Sequence, residues 1–253
     1  MDEGSIAIVP GANPKIRNGD VQYPFRQDSD FRYLTGFDEP NAVFVLIPGR
    51  EHGETLLFCR ERDNEYERWH GHITGPERAM QLFGMDDAFP VSDIDDILPG
   101  LIEGRSKLYY AMGLDRDFDN QVIDWVKKIS QSDHLGAESP GEFVQLDHYL
   151  HELRLFKSAA EIALMKLAAD ATVKGHCRIM QKTQPGMMEY ELEAELIHEF
   201  SINGARHCAY PAIVGGGANA CVLHYVSNNE VLADGDLVLV DAGGEYEGYA
   251  CDL

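Results

Sequence analysis

The sequence has no apolar stretch approaching the ~20 residues that a membrane-spanning helix needs, and its first residues, Met1-Asp2-Glu3-Gly4, are acidic rather than basic. No secretory leader is read there. Positive charge is scarce: 21 Lys and Arg stand against 43 Asp and Glu, for a formal net charge of -22. That balance argues against nucleic acid and against anionic membrane surfaces, both of which call for clustered cations. Cysteine is sparse and unpaired in pattern. Cys59, Cys177, Cys208, Cys221 and Cys251 are odd in number, scattered, and contain no C-x-x-C. A disulfide framework or thiolate zinc site is not expected, and a reducing cytoplasm fits best. The sequence also lacks H-E-x-x-H, a G-x-S-x-G elbow and a phosphate loop; Gly215-Gly216-Gly217 is not followed by G-K-[ST] and reads as a turn.

What is present is the composition of a globular protein, 44% hydrophobic and 25% charged over 253 residues, enough for one large or two ordinary domains. The first half alternates short β-like runs (5–9, 42–47, 55–59, 107–111) with helical ones (76–83, 119–130), predicting an α/β domain with a mixed or parallel sheet and flanking helices. Residues 132–142 lack periodicity and carry Gly, Ser and Pro. The first domain is therefore expected over 1–132, a linker over 133–152 and a second domain over 153–253. The second domain opens with a capping-box signature, Ser158-Ala159-Ala160-Glu161. A helix follows with Ile162, Met165, Ala169, Thr172, His176 and Ile179 at helical spacing. A second helix runs over about 189–202 with Met188, Leu192, Leu196 and Phe200 as its stripe, and Asn203-Gly204 as its stop. β-like runs over 212–214, 221–226 and 236–241 complete it.

The chemistry concentrates in D-L-V-L-V-D-A-G-G-E-Y-E-G-Y-A-C-D, residues 236–252. It reads as a hairpin. If its strands pair about a Tyr246–Glu247 centre, Asp241 and Asp252 stand directly opposite each other. Facing carboxylates repel unless a cation lies between them, and paired oxygen ligands suit a hard divalent ion. The same spacing also suits an ordinary polar hairpin. His224, inside the apolar run C-V-L-H-Y-V, reads either as a core or edge residue or as a proton or hydrogen-bond donor beside metal-bound water.

This hairpin resembles the metal-ligand hairpin of the Xaa-Pro aminopeptidases, members of the pita-bread metallopeptidases. Y-P-F-R-Q-D-S-D-F-R-Y-L-T-G-F-D-E-P (23–40), H-E-L-R-L-F-K-S (151–158), H-E-F-S-I-N-G-A-R (198–206) and A-I-V-G-G-G-A-N-A-C-V-L-H-Y (212–225) resemble further blocks of that family in the same order. The resemblance implies an α/β N-terminal domain followed by an incomplete α+β pita-bread catalytic domain. It implies Asp241 and Asp252 as ligands of two divalent ions, Mn2+ in bacterial members, and His224 as a substrate-pocket residue. The substrates would be peptides with proline second, cleaved by metal-activated water. A later histidine and two glutamates would complete the ligand set beyond Leu253, so the chain is expected to be a fragment, inactive alone, with apolar faces at Leu237, Leu239 and the two helices partly uncovered. Family members oligomerise, so Trp69, in the Gly-flanked R-W-H-G-H, is expected either as a partly buried anchor or as a residue reaching a neighbouring subunit's active site. A prolidase acting on Xaa-Pro dipeptides and a non-catalytic pita-bread binding module are the alternatives.

Overall fold

The structure, a computed structural model, describes residues 1–131 and 137–253 and divides into two compact units, Met1–Leu155 and Phe156–Leu253.

The first unit is built in chain order from β1 (Ser5–Pro10), the small pair β2 (Ile16–Asn18) and β3 (Val21–Gln22), α1 (Ser29–Thr35), β4 (Val43–Leu46), β5 (Thr55–Cys59), α2 (Asn64–His70), α3 (Gly75–Phe83), β6 (Asp87–Pro90), α4 (Ile94–Ile102), β7 (Lys107–Tyr110), α5 (Arg116–Ser130), β8 (Glu142–Gln145) and α6 (Asp147–Leu155). Six strands form one sheet in the order β6-β5-β4-β1-β7-β8. β4 runs antiparallel to both of its neighbours, and the other pairings are parallel, so the sheet is mixed as expected. The strands read as continuous apolar runs because both faces are covered. On one face Ile6, Ile8, Val45, Phe58 and Leu108 pack with Leu98 and Ile102 of α4 and Val122, Trp125 and Ile129 of α5. On the other, Ala7, Val9, Phe44, Leu57 and Tyr109 pack with Phe31 of α1, Ala79 of α3 and Leu150 of α6. Each fully buried Leu, Ile or Phe contributes about 1.5–3 kcal/mol.

Three helices of this unit start on aspartates. Asp28, Asp63 and Asp115 each accept hydrogen bonds from two amides of the first turn of α1, α2 and α5, satisfying donors that the helix itself cannot. The expected boundary at residue 132 needs correction. β8 joins the sheet beside β7, and Leu146 and Leu150 enter its core, so residues 142–152, assigned to the linker, and 153–155, assigned to the second domain, belong to the first unit. β8 is an edge strand whose side chains are exposed except for a half-buried Val144, which is why its sequence lacked a strand's signature. Residues 133–136 of that expected linker lie outside the described residues.

The second unit consists of α7 (Ala159–Lys182), α8 (Glu189–Ile202), β9 (His207–Cys208), β10 (Ile213–Gly216), β11 (Val238–Asp241), β12 (Gly244–Tyr246) and β13 (Tyr249–Ala250). Ser158 and Glu161 form the expected reciprocal capping box. Leu192, Leu196 and Phe200 are buried as expected. On α7, Thr172 and Ile179 are buried as expected, but the line runs through Ala168, Ala171 and Gly175 as well, with Ile162 and Met165 left exposed. Small residues are required there: a Cβ on Gly175 would fall 2.4 Å from Phe200 Cε1, so the glycine lets α8 approach closely. β10 pairs antiparallel with β11, while β12 lies between β13 and β9.

The run 221–226 is not a strand. A short 3-10 helix over Gly217–Cys221 leads into a turn. Tyr225 Oη and Asn219 Nδ2 both donate to the buried Glu189 carboxylate, an anchor some thirty residues earlier that overrides the local β pattern. Leu237 and Leu239, expected to be partly uncovered, are 84% and 42% exposed.

Candidate metal centre

The hairpin turns one residue later than the sequence implied. Tyr246 pairs with Tyr249 and Glu245 with Ala250, so the turn centres on Glu247-Gly248 rather than on Tyr246-Glu247. Both turn residues have positive φ, 49° at Glu247 and 78° at Gly248. That is the requirement of a two-residue turn whose twist matches its strands, and glycine at the second position meets it without strain. The same register continues through Cys251 N–H to Gly244 O (3.1 Å) and Ala242 N–H to Leu253 O (3.2 Å).

Asp241 and Asp252 are therefore not directly opposite. By that register Asp252 falls opposite Gly243, two residues after Asp241. Asp241 closes β11, Asp252 lies just beyond β13, and the Tyr210 hydroxyl reaches both carboxylates. The residue between them has no side chain, and none would fit: a Cβ on Gly243 would lie 1.7 Å from the Cys251 carbonyl oxygen.

Tyr210 ties the pair together. Its hydroxyl donates to Asp252 Oδ1 at 2.8 Å. Burial pushes its pKa up, and hydrogen bonding to Asp241 and Asp252, together with their charge, pushes it further. The phenol thus stays a proton donor to the carboxylates. β9 carries Tyr210 to this place through Ala209 N–H to Gly243 O (2.8 Å) and the pairing of Cys208 with Gly244. Sequence reasoning missed Tyr210, because its link to Asp252 spans 42 residues and leaves no local signature.

A divalent cation fits this place on one specific ground. Asp241 Oδ1 is buried and has no hydrogen-bond partner. An unmatched buried acceptor costs about 1–3 kcal/mol, and a cation relieves it. The donors are hard oxygens, suited to Mn, Mg, Co or Zn. Among the described residues, no cluster of three or more His, Cys, Asp and Glu is arranged to hold an ion, so the two aspartates form a partial ligand set.

His224 lies exposed in the turn after the short 3-10 helix, not in an apolar core or strand edge, and no hydrogen bond among the described residues joins it to Asp241, Asp252 or Tyr210. Trp69 is in the last turn of α2, not in a loop. It is 81% exposed, which removes the reading of a partly buried anchor; α2 buries none of its own residues.

Comparison with known proteins bears on the same residues. Residues 1–110 match the family model of the aminopeptidase P N-terminal domain, and residues 163–253 match that of metallopeptidase family M24. This chain joins an aminopeptidase P N-terminal domain to part of an M24 pita-bread domain. Asp241, Asp252, Tyr210 and His224 all fall inside the M24 match, and Trp69 inside the aminopeptidase P one. Over its whole length the chain is 42% identical to the Xaa-Pro aminopeptidase of Escherichia coli and spans 58% of that relative. It superposes on the aminopeptidase PepP of Pseudomonas aeruginosa with a TM-score of 0.98 and 54% identity, covering all of this chain and 57% of that one. A zinc-substituted E. coli aminopeptidase P in complex with product matches at a TM-score of 0.96 and 42% identity, with the same 57% coverage. The chain thus spans a little over half the length of these relatives. No helix among the described residues is long and apolar enough to cross a membrane.

Proposed function

We propose that the M24 segment supplies two ligands of a dinuclear metal site in an aminopeptidase that removes the N-terminal residue of peptides with proline second. The observation that carries this reading is the meeting of Asp241 and Asp252 at the Tyr210 hydroxyl, with one orphaned buried oxygen on Asp241. Similarity to Xaa-Pro aminopeptidases supports the substrate class: peptides with proline second.

Asp241 and Asp252 would hold two divalent ions, Mn2+ in this reading. Such ions lower the pKa of water and polarise a carbonyl. Tyr210 orients the Asp252 carboxylate, the office that hydrogen-bonded neighbours of metal ligands usually perform. His224, accessible on its turn, serves as a hydrogen-bond donor to substrate. Trp69 belongs to a surface that meets a second copy in a homo-oligomer. The acidic charge and scattered cysteines support a cytoplasmic protein with no nucleic-acid or membrane partner.

The deciding experiment assays the product of the complete reading frame, loaded with Mn2+, on an Xaa-Pro-Xaa tripeptide and an Xaa-Pro dipeptide. Release of the first residue from the tripeptide is expected. A folded protein that releases nothing refutes the reading, and cleavage of the dipeptide alone makes it a prolidase. Trp69→Ala is expected to lower turnover without changing thermal stability, because the indole buries little surface in its own unit; unchanged turnover removes Trp69 from the site.

A further inference from the structure

Thr172 and His176 stand one turn apart on α7, on the helix face that meets the hairpin, and each grips the backbone between the two aspartates. His176 Nε2 lies 2.9 Å from the carbonyl oxygen of Ala242, the residue directly after Asp241. A carbonyl only accepts, so the imidazole carries its proton on Nε2 and donates it. Gly244 N–H donates to Thr172 Oγ1 at 2.9 Å. The Thr172 hydroxyl spends its own proton on Ala168 O at 2.8 Å, which turns its lone pairs toward Gly244. Thr172 is fully buried, as is Ala242, so neither grip competes with bulk water. The gripped segment has little freedom to yield: a Cβ on Gly244 would come 2.9 Å from Ala205 Cβ.

Everything that sets the aspartates converges on these three residues. Ala242 follows Asp241 in the chain and donates to Leu253 O; Gly244 O accepts from Cys251 N–H; Gly243 O accepts from the N–H of Ala209, the residue before Tyr210. A shift of 242–244 along or away from α7 would move Asp241, Asp252 and Tyr210 together.

We propose that His176 is a positioning residue for the metal pair: its donation to Ala242 O fixes where the Asp241 strand sits, and thereby the separation at which the two carboxylates meet an ion. The inference rests on Asp241 and Asp252 being metal ligands. Outer partners of metal ligands typically matter about 10–100-fold in affinity, and His176 acts one bond further out, through backbone.

The test titrates Mn2+ alone into the full chain, reading free Mn2+ by paramagnetic resonance, with thermal unfolding of the metal-free protein measured alongside. His176→Phe keeps the ring and removes the donor. His176→Gln places an amide N–H at the same reach. The expected result is at least a ~10-fold weaker Mn2+ affinity for His176→Phe, near-parental affinity for His176→Gln, and faster hydrogen exchange at the Gly244 amide in the Phe variant. Parental Mn2+ affinity in His176→Phe overturns the proposal. So does equal loss in both variants, since the donor would then be irrelevant. A Phe variant too unstable to titrate leaves the Gln variant to decide: near-parental affinity and Gly244 protection there support the role, and their loss overturns it. Asp241→Asn separates this failure from that of the metal reading. If it leaves Mn2+ binding untouched, the ligand assignment falls and the positioning role falls with it.

Discussion

Glu189 has no exposed surface, and its carboxylate accepts from Gly216 N–H, Asn219 Nδ2, Tyr225 Oη and Glu230 N–H. Burial pushes its pKa up, but the hydrogen bonds from Gly216, Tyr225, Asn219 and Glu230 outweigh it and hold it below the usual carboxylate range. A depressed folded pKa stabilises the fold fully above the ordinary glutamate value of about 4.3. That contribution is lost as pH falls through the lower folded value. Glu189→Gln is expected to cost about 1–3 kcal/mol at neutral pH, by setting an amide N–H against converging donors. The gap between parent and variant melting temperatures should narrow on acidification. A gap independent of pH would show that the carboxylate is not the stabilising species. Tyr210→Phe tests the polar link at the hairpin. It keeps the ring and removes the bond to Asp252, and Mn2+ affinity is expected to fall about 10-fold or more with little change in melting temperature.

The hairpin is an element whose geometry depends on two glycines. Gly248 supplies the positive φ of the turn, and Gly243 the space beneath the Cys251 carbonyl. Gly243→Ala is expected to force the strands apart, costing about 1–3 kcal/mol in overpacking and abolishing Mn2+ binding, since the Asp252 arm would be displaced. Chemical denaturation and a Mn2+ titration check both; an alanine variant that binds normally would mean that the arm is not held as described. At α7 the effect is milder. Ser158→Ala removes a capping bond at an exposed helix end and should lower stability by about 1 kcal/mol, without effect on the metal pair.

At the scale of the molecule, the two units hold separate cores. The first is closed by β8 and α6, which bring Leu146 and Leu150 against the sheet. A chain of residues 1–155 is expected to unfold in one cooperative transition. A chain stopped at residue 132 should lose about 3–6 kcal/mol from those two leucines alone and unfold broadly. Circular dichroism on the two products decides it, and equal stability would return the boundary to where composition placed it.

Local pattern determined a good deal by itself. Apolar runs of four to six residues in β1, β4, β5 and β7 could be stable only between two covered faces. The Ser158 capping box and Asn203-Gly204 marked helix ends because their side chains or backbone freedom satisfy terminal groups nearby in sequence. The two aspartates stood out through the resemblance of their hairpin to a metal-ligand hairpin, since their spacing alone suited an ordinary polar hairpin as well. Tertiary structure decided what depends on partners distant in sequence. It chose the hairpin register through the positive-φ turn, converted 221–226 from strand to turn through Glu189, and made an exposed edge strand of residues that looked like linker. It also brought Tyr210, Thr172 and His176 to the aspartates through bonds spanning 42 to 72 residues. The physical reason is common to all of these. Backbone propensity and capping act over a few residues, whereas a buried hydrogen bond is set by which surfaces the packed helices and strands bring into contact.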